Sequence, residues 1–368
     1  MSILFLLVWA GTARAASLTL AWDPSQGATG YTVYWGTQSG VYPNSLNVGA
    51  QTSKQITGLI DGNPYYFVVK AYNAANLESA PSIEVSRRVG IPIFTLADFD
   101  GDLASDISVF RPSNGMWYER LSSSGGSAFY QWGLTGDVPV PGDYDGDGRN
   151  DVAVWRPSTG IWYIRNSSDG SNAFLQWGLT GDIPVPGDYD GDGKADAAVF
   201  RPSTGIWYVR DLVTNTARFY QWGLAGDIPV PGDYDGDGRT DVAVFRPSTG
   251  IWYVLYSNTG ASAFFTWGLA GDLVAQADYD GDGKTDVAVF RPSTATWYIR
   301  KSSTGASTFY QWGLGSDVPV PGDYDKDGKA DVAVFRPSTG IWYVQLSSSG
   351  APAFYQWGLT GDIPVLKR

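Results

Sequence analysis

Residues 143–151 read DYDGDGRND, with aspartates at positions 1, 3, 5 and 9 of the stretch (Asp143, Asp145, Asp147 and Asp151). Two carboxylates about 4 Å apart repel each other by about 4 kcal/mol at an effective dielectric near 20. The stretch nevertheless returns every 45 residues, and these nine-residue loops, numbered 1 to 6, begin at Asp98, Asp143, Asp188, Asp233, Asp278 and Asp323. A chain that repeats such a charge density must contain something that offsets the repulsion in each loop.

The 45-residue period extends to the rest of each unit, from residue 93 to residue 362. Each unit has four short runs, of the kind IPVPGDYD, DVAVFRP, IWYVR and AFYQWG, separated by the Asp loop, a Ser-Thr-Gly turn and a Ser/Gly-rich loop. Repeats of about 40–50 residues with four strands each are typical of propeller blades. We predict an all-β fold with a propeller of six four-stranded blades over residues 93–368. A linear β-solenoid is the alternative.

The C-terminal residues IPVLKR form the start of a seventh unit. They could pair near the N-terminal strand of the repeats and latch the ring. However, Ile93, Phe94 and Thr95 already supply that strand in the first unit, so the pattern leaves ring closure open.

The composition of the loops predicts a calcium site in each. Four aspartates in each of six loops make up 24 of the chain's 37 acidic residues. Ca²⁺ takes six to eight oxygen ligands, including carboxylates, carbonyls and water, whereas Mg²⁺ prefers fewer protein ligands and stricter octahedral geometry. The glycine at position 6, such as Gly148, permits the turn that brings positions 1, 3 and 5 to one centre while position 7 offers its carbonyl.

The loops also resemble those of a known family. The first half is similar to an EF-hand loop, but no Glu follows at position 12 and no helices flank it. The aspartate at position 9 instead resembles the D-x-D-x-D-G-x-x-D loop of the integrin-like FG-GAP and VCBS propeller repeats, over about 270 residues. This resemblance implies up to six Ca²⁺ ions, each bound by four aspartate side chains and the carbonyl of position 7. The implied ligands are Asp98, Asp100, Asp102, Ala104 and Asp106; Asp143, Asp145, Asp147, Arg149 and Asp151; Asp188, Asp190, Asp192, Lys194 and Asp196; Asp233, Asp235, Asp237, Arg239 and Asp241; Asp278, Asp280, Asp282, Lys284 and Asp286; and Asp323, Asp325, Asp327, Lys329 and Asp331.

Two loops depart from this pattern. Loop 1 has Leu103 in place of the glycine at position 6, which should strain the turn. Loop 6 has Lys326 in place of the glycine at position 4, which adds a cation beside the cage. We expect weaker calcium binding at both. In all six loops the ion is expected to hold a hairpin together and to touch no substrate.

The region before the repeats has a different pattern. Residues 16–88 alternate polar and apolar residues in short runs such as GYTVYWG and PYYFVVKAYN, which predicts a two-sheet sandwich. The segment from Leu59 through Gly62 to Tyr65 resembles the tyrosine corner of a fibronectin type III domain, a module that usually serves as a spacer or adhesive arm. Residues 1–15 are expected to form a cleaved secretory signal, and residues 89–92 a linker.

Composition excludes several classes of function. The net charge of −12 argues against nucleic acid and against anionic membranes as partners. The chain has no cysteine and no histidine, so it lacks disulfides, thiolate chemistry and the commonest general base. An active site occurs once whereas these motifs occur six times, and the departures from the repeat add no recognisable base or nucleophile pair. We therefore expect no enzyme.

Two further motifs recur in every unit. The Trp of IWY and the Trp of WG are expected to fill the core, although some of the rings could stack on sugars. Six arginines before proline are each expected to pair with a neighbouring acidic or carbonyl group, and a ring of anion sites is the alternative. The candidate partners are the recurrent aspartates Asp137, Asp182, Asp227, Asp272, Asp317 and Asp362.

The predicted function is that of a secreted, calcium-stabilised module that binds an extracellular glycan or protein, at the cell surface or free. The alternatives are a structural subunit that assembles into a surface layer or filament, and a carbohydrate-active enzyme such as a polysaccharide lyase. No segment outside the N-terminal run is apolar enough to span a membrane.

Overall fold

A computed structural model describes residues 16–25, 27–38, 40–59, 64–88 and 97–366. Every regular element in these ranges is a β-strand, which confirms the all-β fold. Nowhere in the described ranges does a helix have the length and apolar character of a membrane span. The chain folds as two compact units whose boundary in sequence lies between Ile91 and Pro92. The expected signal peptide (1–15) and linker (89–92) lie outside the described residues.

The N-terminal unit is a sandwich of two antiparallel sheets. One sheet pairs β1 with β4, and the other has the order β3-β2-β5-β6. These strands are β1 (Ala16–Ala21), β2 (Gly30–Gly36), β3 (Asn44–Gly49), β4 (Ser53–Leu59), β5 (Pro64–Tyr72) and β6 (Val85–Arg88). Alternation along each strand sends one set of side chains inward. Trp22 and Tyr31 meet edge to face in this core at 5.7 Å, as expected for inner-face aromatics. Tyr65 of the predicted corner is also buried, while Gly62 lies outside the described residues.

The repeat region forms six four-stranded antiparallel sheets, each with a two-residue inner strand and three five-residue strands. The inner strands are β10 (Val138–Pro139), β14 (Ile183–Pro184), β18 (Ile228–Pro229), β22 (Leu273–Val274), β26 (Val318–Pro319) and β30 (Ile363–Pro364). The second strands are β7 (Ile107–Arg111), β11 (Val152–Arg156), β15 (Ala197–Arg201), β19 (Val242–Arg246), β23 (Val287–Arg291) and β27 (Val332–Arg336). The third strands are β8 (Met116–Arg120), β12 (Ile161–Arg165), β16 (Ile206–Arg210), β20 (Ile251–Leu255), β24 (Thr296–Arg300) and β28 (Ile341–Gln345). The outer strands are β9 (Ser127–Gln131), β13 (Asn172–Gln176), β17 (Ala217–Gln221), β21 (Ser262–Thr266), β25 (Ser307–Gln311) and β29 (Pro352–Gln356).

Burial decreases from the inside of each sheet to the outside, as the sequence patterns require. The first four residues of each second strand are buried, so both faces are covered. The third strands alternate between buried and half-buried residues, and the outer strands are largely exposed. The third-strand tryptophans, such as Trp162, are fully buried. Each tryptophan removes about 150–250 Å² from water, or about 4–6 kcal/mol before the entropy cost.

Neighbouring sheets share their cores. The cluster around Trp162 and Ile164 in the second sheet continues into Ala195, Ala197 and Val199 of the third. Neither sheet could bury its apolar face alone, which is why the repeat needs its neighbours.

The six sheets close into a cycle. In every sheet the indole N–H of the Trp-Gly tryptophan donates to a backbone carbonyl of the next sheet, at 3.0–3.1 Å. The last of these bonds returns from Trp357 to the Tyr118 carbonyl in the first sheet. The C-terminal strand β30 also pairs with β7, with Ile363 opposite Phe110. The C-terminal segment therefore latches the ring and a linear solenoid is excluded, while Ile93 to Thr95 lie outside the described residues.

Candidate functional site

The position-1 aspartate of each acidic loop organises the turn. In loop 2, Asp143 Oδ1 accepts the Gly146 N–H at 2.6 Å and Asp143 Oδ2 accepts the Gly148 N–H at 2.8 Å. Loops 1, 4, 5 and 6 make the same bonds. Gly148 has φ of +85°, a left-handed conformation that favours glycine. The loop thus folds around its first carboxylate.

The position-9 aspartate connects the loop to the next turn of the sheet. Asp151 Oδ2 accepts the Tyr144 N–H at 2.8 Å, and Asp151 Oδ1 accepts the Ser167 N–H at 2.6 Å. At position 3, Asp145 Oδ2 accepts the Ser168 hydroxyl at 2.6 Å. Three aspartates are therefore held in place by hydrogen bonds to separate parts of the unit.

These three carboxylates lie close together. In loops 1 to 4 one oxygen from each of positions 1, 3 and 9 lies within 4.8 Å of the other two. Four position-3 carboxylates also have a buried oxygen with no hydrogen-bond partner: Asp100, Asp235, Asp280 and Asp325. A buried acceptor without a partner is costly. The arrangement fits a hard divalent cation, which would supply the missing contact.

Burial and mutual repulsion make the loops electrostatically unfavourable on their own. Burial, with the neighbouring carboxylates, raises the pKa of Asp143 and of Asp151 from 3.8 to about 7. The same causes raise the pKa of Asp196 and of Asp233 to about 8. Raised values of about 6 or 7 recur at Asp106, Asp241, Asp278, Asp286, Asp323 and Asp331. A bound divalent ion would favour the charged forms instead.

The position-5 aspartate has different neighbours. Asp147 accepts the Arg149 backbone N–H and the Ser167 hydroxyl, both at 2.9 Å, and the Arg149 Nε also donates to it at 2.9 Å. Positions 1, 3 and 9 thus form the cluster, with position 5 beside it. That position 5 and the carbonyl of position 7 are ligands stays a prediction.

Loop 3 has an additional acidic residue. Asp211, which belongs to a segment that departs from the repeat, is buried and has an oxygen within 4.8 Å of oxygens of Asp190 and Asp192. The segment is DLVTNTAR, residues 211–218, and nothing in the sequence alone indicated a role for Asp211.

The two irregular loops keep the common fold. Leu103 has φ of +82°, so the strain expected from its side chain is present, yet its N–H still donates to Asp98 at 2.9 Å. Lys326 also has a positive φ, of +65°. Its ammonium lies 3.4 Å from Asp102 Oδ2 in loop 1, so the cation expected beside loop 6 contacts the neighbouring loop.

The six repeated arginines are paired as the sequence predicted. Arg156 Nε and NH2 donate to the two carboxylate oxygens of Asp137 at 2.7 and 2.8 Å, and the guanidinium lies over the Tyr163 ring at 4.3 Å. The other pairs are Arg111 with Asp362, Arg201 with Asp182, Arg246 with Asp227, Arg291 with Asp272 and Arg336 with Asp317. Because each of these guanidinium groups already forms an ion pair with an aspartate, a ring of anion sites is disfavoured.

The exposed aromatic rings are not the tryptophans. The third-strand tryptophans are buried and the Trp-Gly tryptophans half-buried. One phenylalanine on each outer strand is instead 55–62% exposed: Phe129, Phe174, Phe219, Phe264, Phe309 and Phe354. Phe174 stacks on Trp132 of the preceding sheet, with ring centroids 6.4 Å apart. The alternation of AFYQW on an outermost strand was the signal that could have identified these residues.

An exposed leucine follows each Trp-Gly pair. The six leucines are 51–59% exposed: Leu134, Leu179, Leu224, Leu269, Leu314 and Leu359. Together with the phenylalanines they give each unit two large apolar side chains on the surface.

The inner strands line a cavity of about 500 Å³. Its wall is mostly apolar, with Val138, Ile183 and Ile228 from three successive sheets. The fifth unit, which reads LVAQA at residues 273–277 where the second reads VPVPG, contributes Gln276. This residue is buried, and its two amide atoms have no hydrogen-bond partner.

Comparisons with known proteins agree with this architecture. The sequence model of the FG-GAP-like repeat family matches residues 143–199 and 278–334, and that of the fibronectin type III domain matches residues 9–87. The crystal structure of TolB from Acinetobacter baumannii is 14% identical, with a TM-score of 0.51, and the match covers 83% of this chain and 79% of that one. An Fn3-like protein from Clostridium thermocellum is 26% identical over 23% of this chain and 92% of its own, with a TM-score of 0.20.

A Kelch domain-containing protein from Saccharolobus solfataricus is 40% identical over 77 residues, which is 21% of this chain. The match spans about a tenth of that relative's length. Taken with the sheet topology, the family matches identify the chain as an N-terminal fibronectin type III domain followed by FG-GAP-like repeats with a β-propeller-type fold.

Proposed function

We propose that this protein is a secreted, calcium-stabilised recognition module that binds an extracellular glycan or protein through six equivalent aromatic sites. The observation that carries the proposal is the set of six outer-strand phenylalanines, each more than half exposed. The apolar surface of an exposed phenylalanine is unfavourable in water, and contact with a ligand would cover it. Six such rings at equivalent positions are therefore candidates for a binding surface.

The surroundings of each phenylalanine suit a ligand with flat apolar faces. All six meet a third-strand tyrosine edge to face, with ring centroids 5.4–5.7 Å apart. Phe129 and Phe174 also stack on a tryptophan of the preceding sheet, and these neighbours restrict the orientation of the rings. A fixed aromatic ring loses little conformational entropy on binding. Sugar rings, which have apolar faces, and apolar side chains of a protein both fit such a platform.

Six weak sites can together give strong binding. A ligand that repeats, such as a polysaccharide, engages a second site at a high effective concentration after the first. The sixfold symmetry therefore favours a repetitive ligand over a single small molecule.

Calcium has a structural role in this proposal. The loop aspartates Asp151 and Asp145 accept hydrogen bonds from Ser167 and Ser168, in the turn that leads to the outer strand. Bound ions would therefore support the strand that carries the phenylalanine, and the proposal assigns them no contact with the ligand. At extracellular Ca²⁺ near about 1 mM, sites with a Kd of about 0.1 mM would be occupied.

The proposal assigns no catalytic role. The candidate binding residues recur six times, whereas catalysis needs one asymmetric set of groups. The chain has no histidine to act as a general base.

A glycan array probed with the fluorescently labelled protein, with and without calcium, tests the proposal. Positive glycans are then titrated with Phe174→Ala and with a variant that carries Ala at all six phenylalanines. Val213→Ala removes an exposed apolar side chain outside this set and serves as the control.

The sixfold variant should lose binding by at least about 100-fold while the control binds normally. Equal binding by all variants would refute the aromatic sites. Filaments in negative stain, lost in the sixfold variant, would favour the structural subunit instead, and release of sugar from the polysaccharide would indicate an enzyme.

A further inference from the structure

The six acidic loops are joined to one another in a ring. In every loop the backbone N–H of position 8 donates to the position-1 carbonyl of the preceding loop, at 2.6–2.7 Å. Asn150 of loop 2 thus bonds to Asp98 of loop 1, and Ser105 of loop 1 bonds to Asp323 of loop 6. Loop 6 therefore lies directly beside loop 1, at the junction where the chain closes.

Loop 6 is unusual in carrying a lysine at position 4, where the other five loops have glycine. The side chain of Lys326 extends across the junction, and its ammonium lies 3.4 Å from the Asp102 carboxylate of loop 1. The side chain of Lys326 is 50% exposed and that of Asp102 is 17% exposed, so solvent reaches the pair mainly from the lysine side.

Loop 1 is unusual in a complementary way. Its position 7 is Ala104, whereas the other loops have an arginine or lysine there. In loop 2 that residue, Arg149, donates to the position-5 carboxylate of Asp147 at 2.9 Å. Loop 1 cannot make this contact itself, and Lys326 makes it from the neighbouring loop.

We propose that Lys326 is an intramolecular counter-ion for loop 1, supplied by loop 6, which competes with a divalent cation at that loop. The inference rests on the proposed calcium function. It differs from the expectation that Lys326 weakens loop 6, because the ammonium is directed at Asp102 of loop 1.

Binding of a divalent ion beside Asp102 would either displace the ammonium or leave two cations close together. Both cost binding free energy, so loop 1 should bind the ion less tightly with the lysine present than with its charge removed. An exposed pair of single charges contributes up to about 1 kcal/mol, and the repulsion between the ammonium and a divalent ion is twice that between two single charges. Removal of the lysine charge should therefore increase the affinity of loop 1 for the ion about tenfold at low salt. Salt should reduce this difference, because the lysine is half exposed.

The test is a series of crystal structures of the full chain soaked with substoichiometric Tb³⁺, which gives the occupancy of each loop from anomalous scattering. Loop 2 in the same crystal is the internal reference. Lys326→Gln removes the charge, Lys326→Arg retains it, and Lys326→Gly restores the residue of the other loops. Lys329→Gln, at position 7 of loop 6, is the matched control.

We expect the occupancy of loop 1 relative to loop 2 to rise in Lys326→Gln and Lys326→Gly and to stay at the wild-type value in Lys326→Arg and Lys329→Gln. An unchanged ratio in Lys326→Gln, with loops 2 to 5 filled, would overturn this inference alone. Absence of terbium from every loop would overturn the calcium function and the inference with it.

Discussion

The raised pKa values of the loop carboxyls predict an unusual dependence of stability on pH. Burial and neighbouring carboxylates raise the pKa of Asp143 and Asp151 from 3.8 to about 7. A shift of about three units corresponds to about 4 kcal/mol against the ionised form. The carboxyls of one loop titrate together, so these values do not add fully.

The direction of this pH dependence follows from the number of protons that the folded and unfolded states bind. Without metal the folded state holds these protons more tightly than the unfolded state does, so the unfolded state binds fewer protons between pH about 4 and pH about 8. The free energy of unfolding is therefore highest near pH 4 and falls as pH rises through this window. Bound calcium reverses the trend, because the carboxylates are then ionised in the folded state and stability is lost in acid.

The expected effect of calcium at neutral pH is large. With a Kd of about 0.1 mM and 1 mM free Ca²⁺, each site adds about 1.4 kcal/mol, or about 8 kcal/mol for six independent sites. This is comparable with the total stability of many domains, about 5–15 kcal/mol.

Urea unfolding followed by tryptophan fluorescence measures the effect, on metal-free protein and on protein with 1 mM Ca²⁺, from pH 4.5 to pH 8.5. Asp169→Asn changes an exposed aspartate outside the loops and should leave both curves unchanged. Two results would contradict this prediction: a free energy of unfolding of the metal-free protein that rises from pH 4.5 to pH 7.5, or one that calcium leaves unchanged at pH 7.5.

Three further variants test the rest of the fold. Arg156→Gln leaves the buried Asp137 carboxylate without its bidentate partner and should cost about 2–4 kcal/mol, measured by urea unfolding; a loss below about 0.5 kcal/mol would contradict the pairing. Glu119 is buried and has a carboxylate oxygen without a partner, whereas the other five sheets have valine or isoleucine at this position. Glu119→Val should therefore raise the free energy of unfolding at pH 7 by about 1–3 kcal/mol; a decrease would show a missed partner. A chain that ends at Asp362 keeps the partner of Arg111 but loses strand β30, and it should melt several degrees lower by circular dichroism; an unchanged melt would show that the latch is dispensable.

Much of the repeat architecture was predictable because each unit repeats the same physical pattern. The tryptophan of the IWY motif was expected in the core, and Trp162 of the IWYIR strand is fully buried. That the repeated arginines pair with repeated aspartates could be predicted because both recur once in every unit; which aspartate each arginine meets, as Arg156 meets Asp137, came from the structure. Features that recur in every unit could be predicted from the pattern of a single unit.

The remaining features depend on neighbours that are distant in sequence. The contact between Lys326 and Asp102 joins residues more than 200 positions apart, and it could be found only once the ring was known to close. The exposure of Phe174 depends on its strand being outermost, which a single unit does not reveal. The tryptophans were the only rings considered as possible sugar contacts, whereas the structure exposes the phenylalanines instead.

The central claim is that the clustered aspartates at positions 1, 3 and 9 of each loop hold calcium. Isothermal titration of metal-free protein with Ca²⁺, combined with anomalous scattering from crystals grown at saturating Ca²⁺, tests it most directly. We predict six ions per chain, one in each acidic loop and in contact with positions 1, 3 and 9. Loops that remain empty at saturating calcium, or ions bound only outside them, would contradict the account.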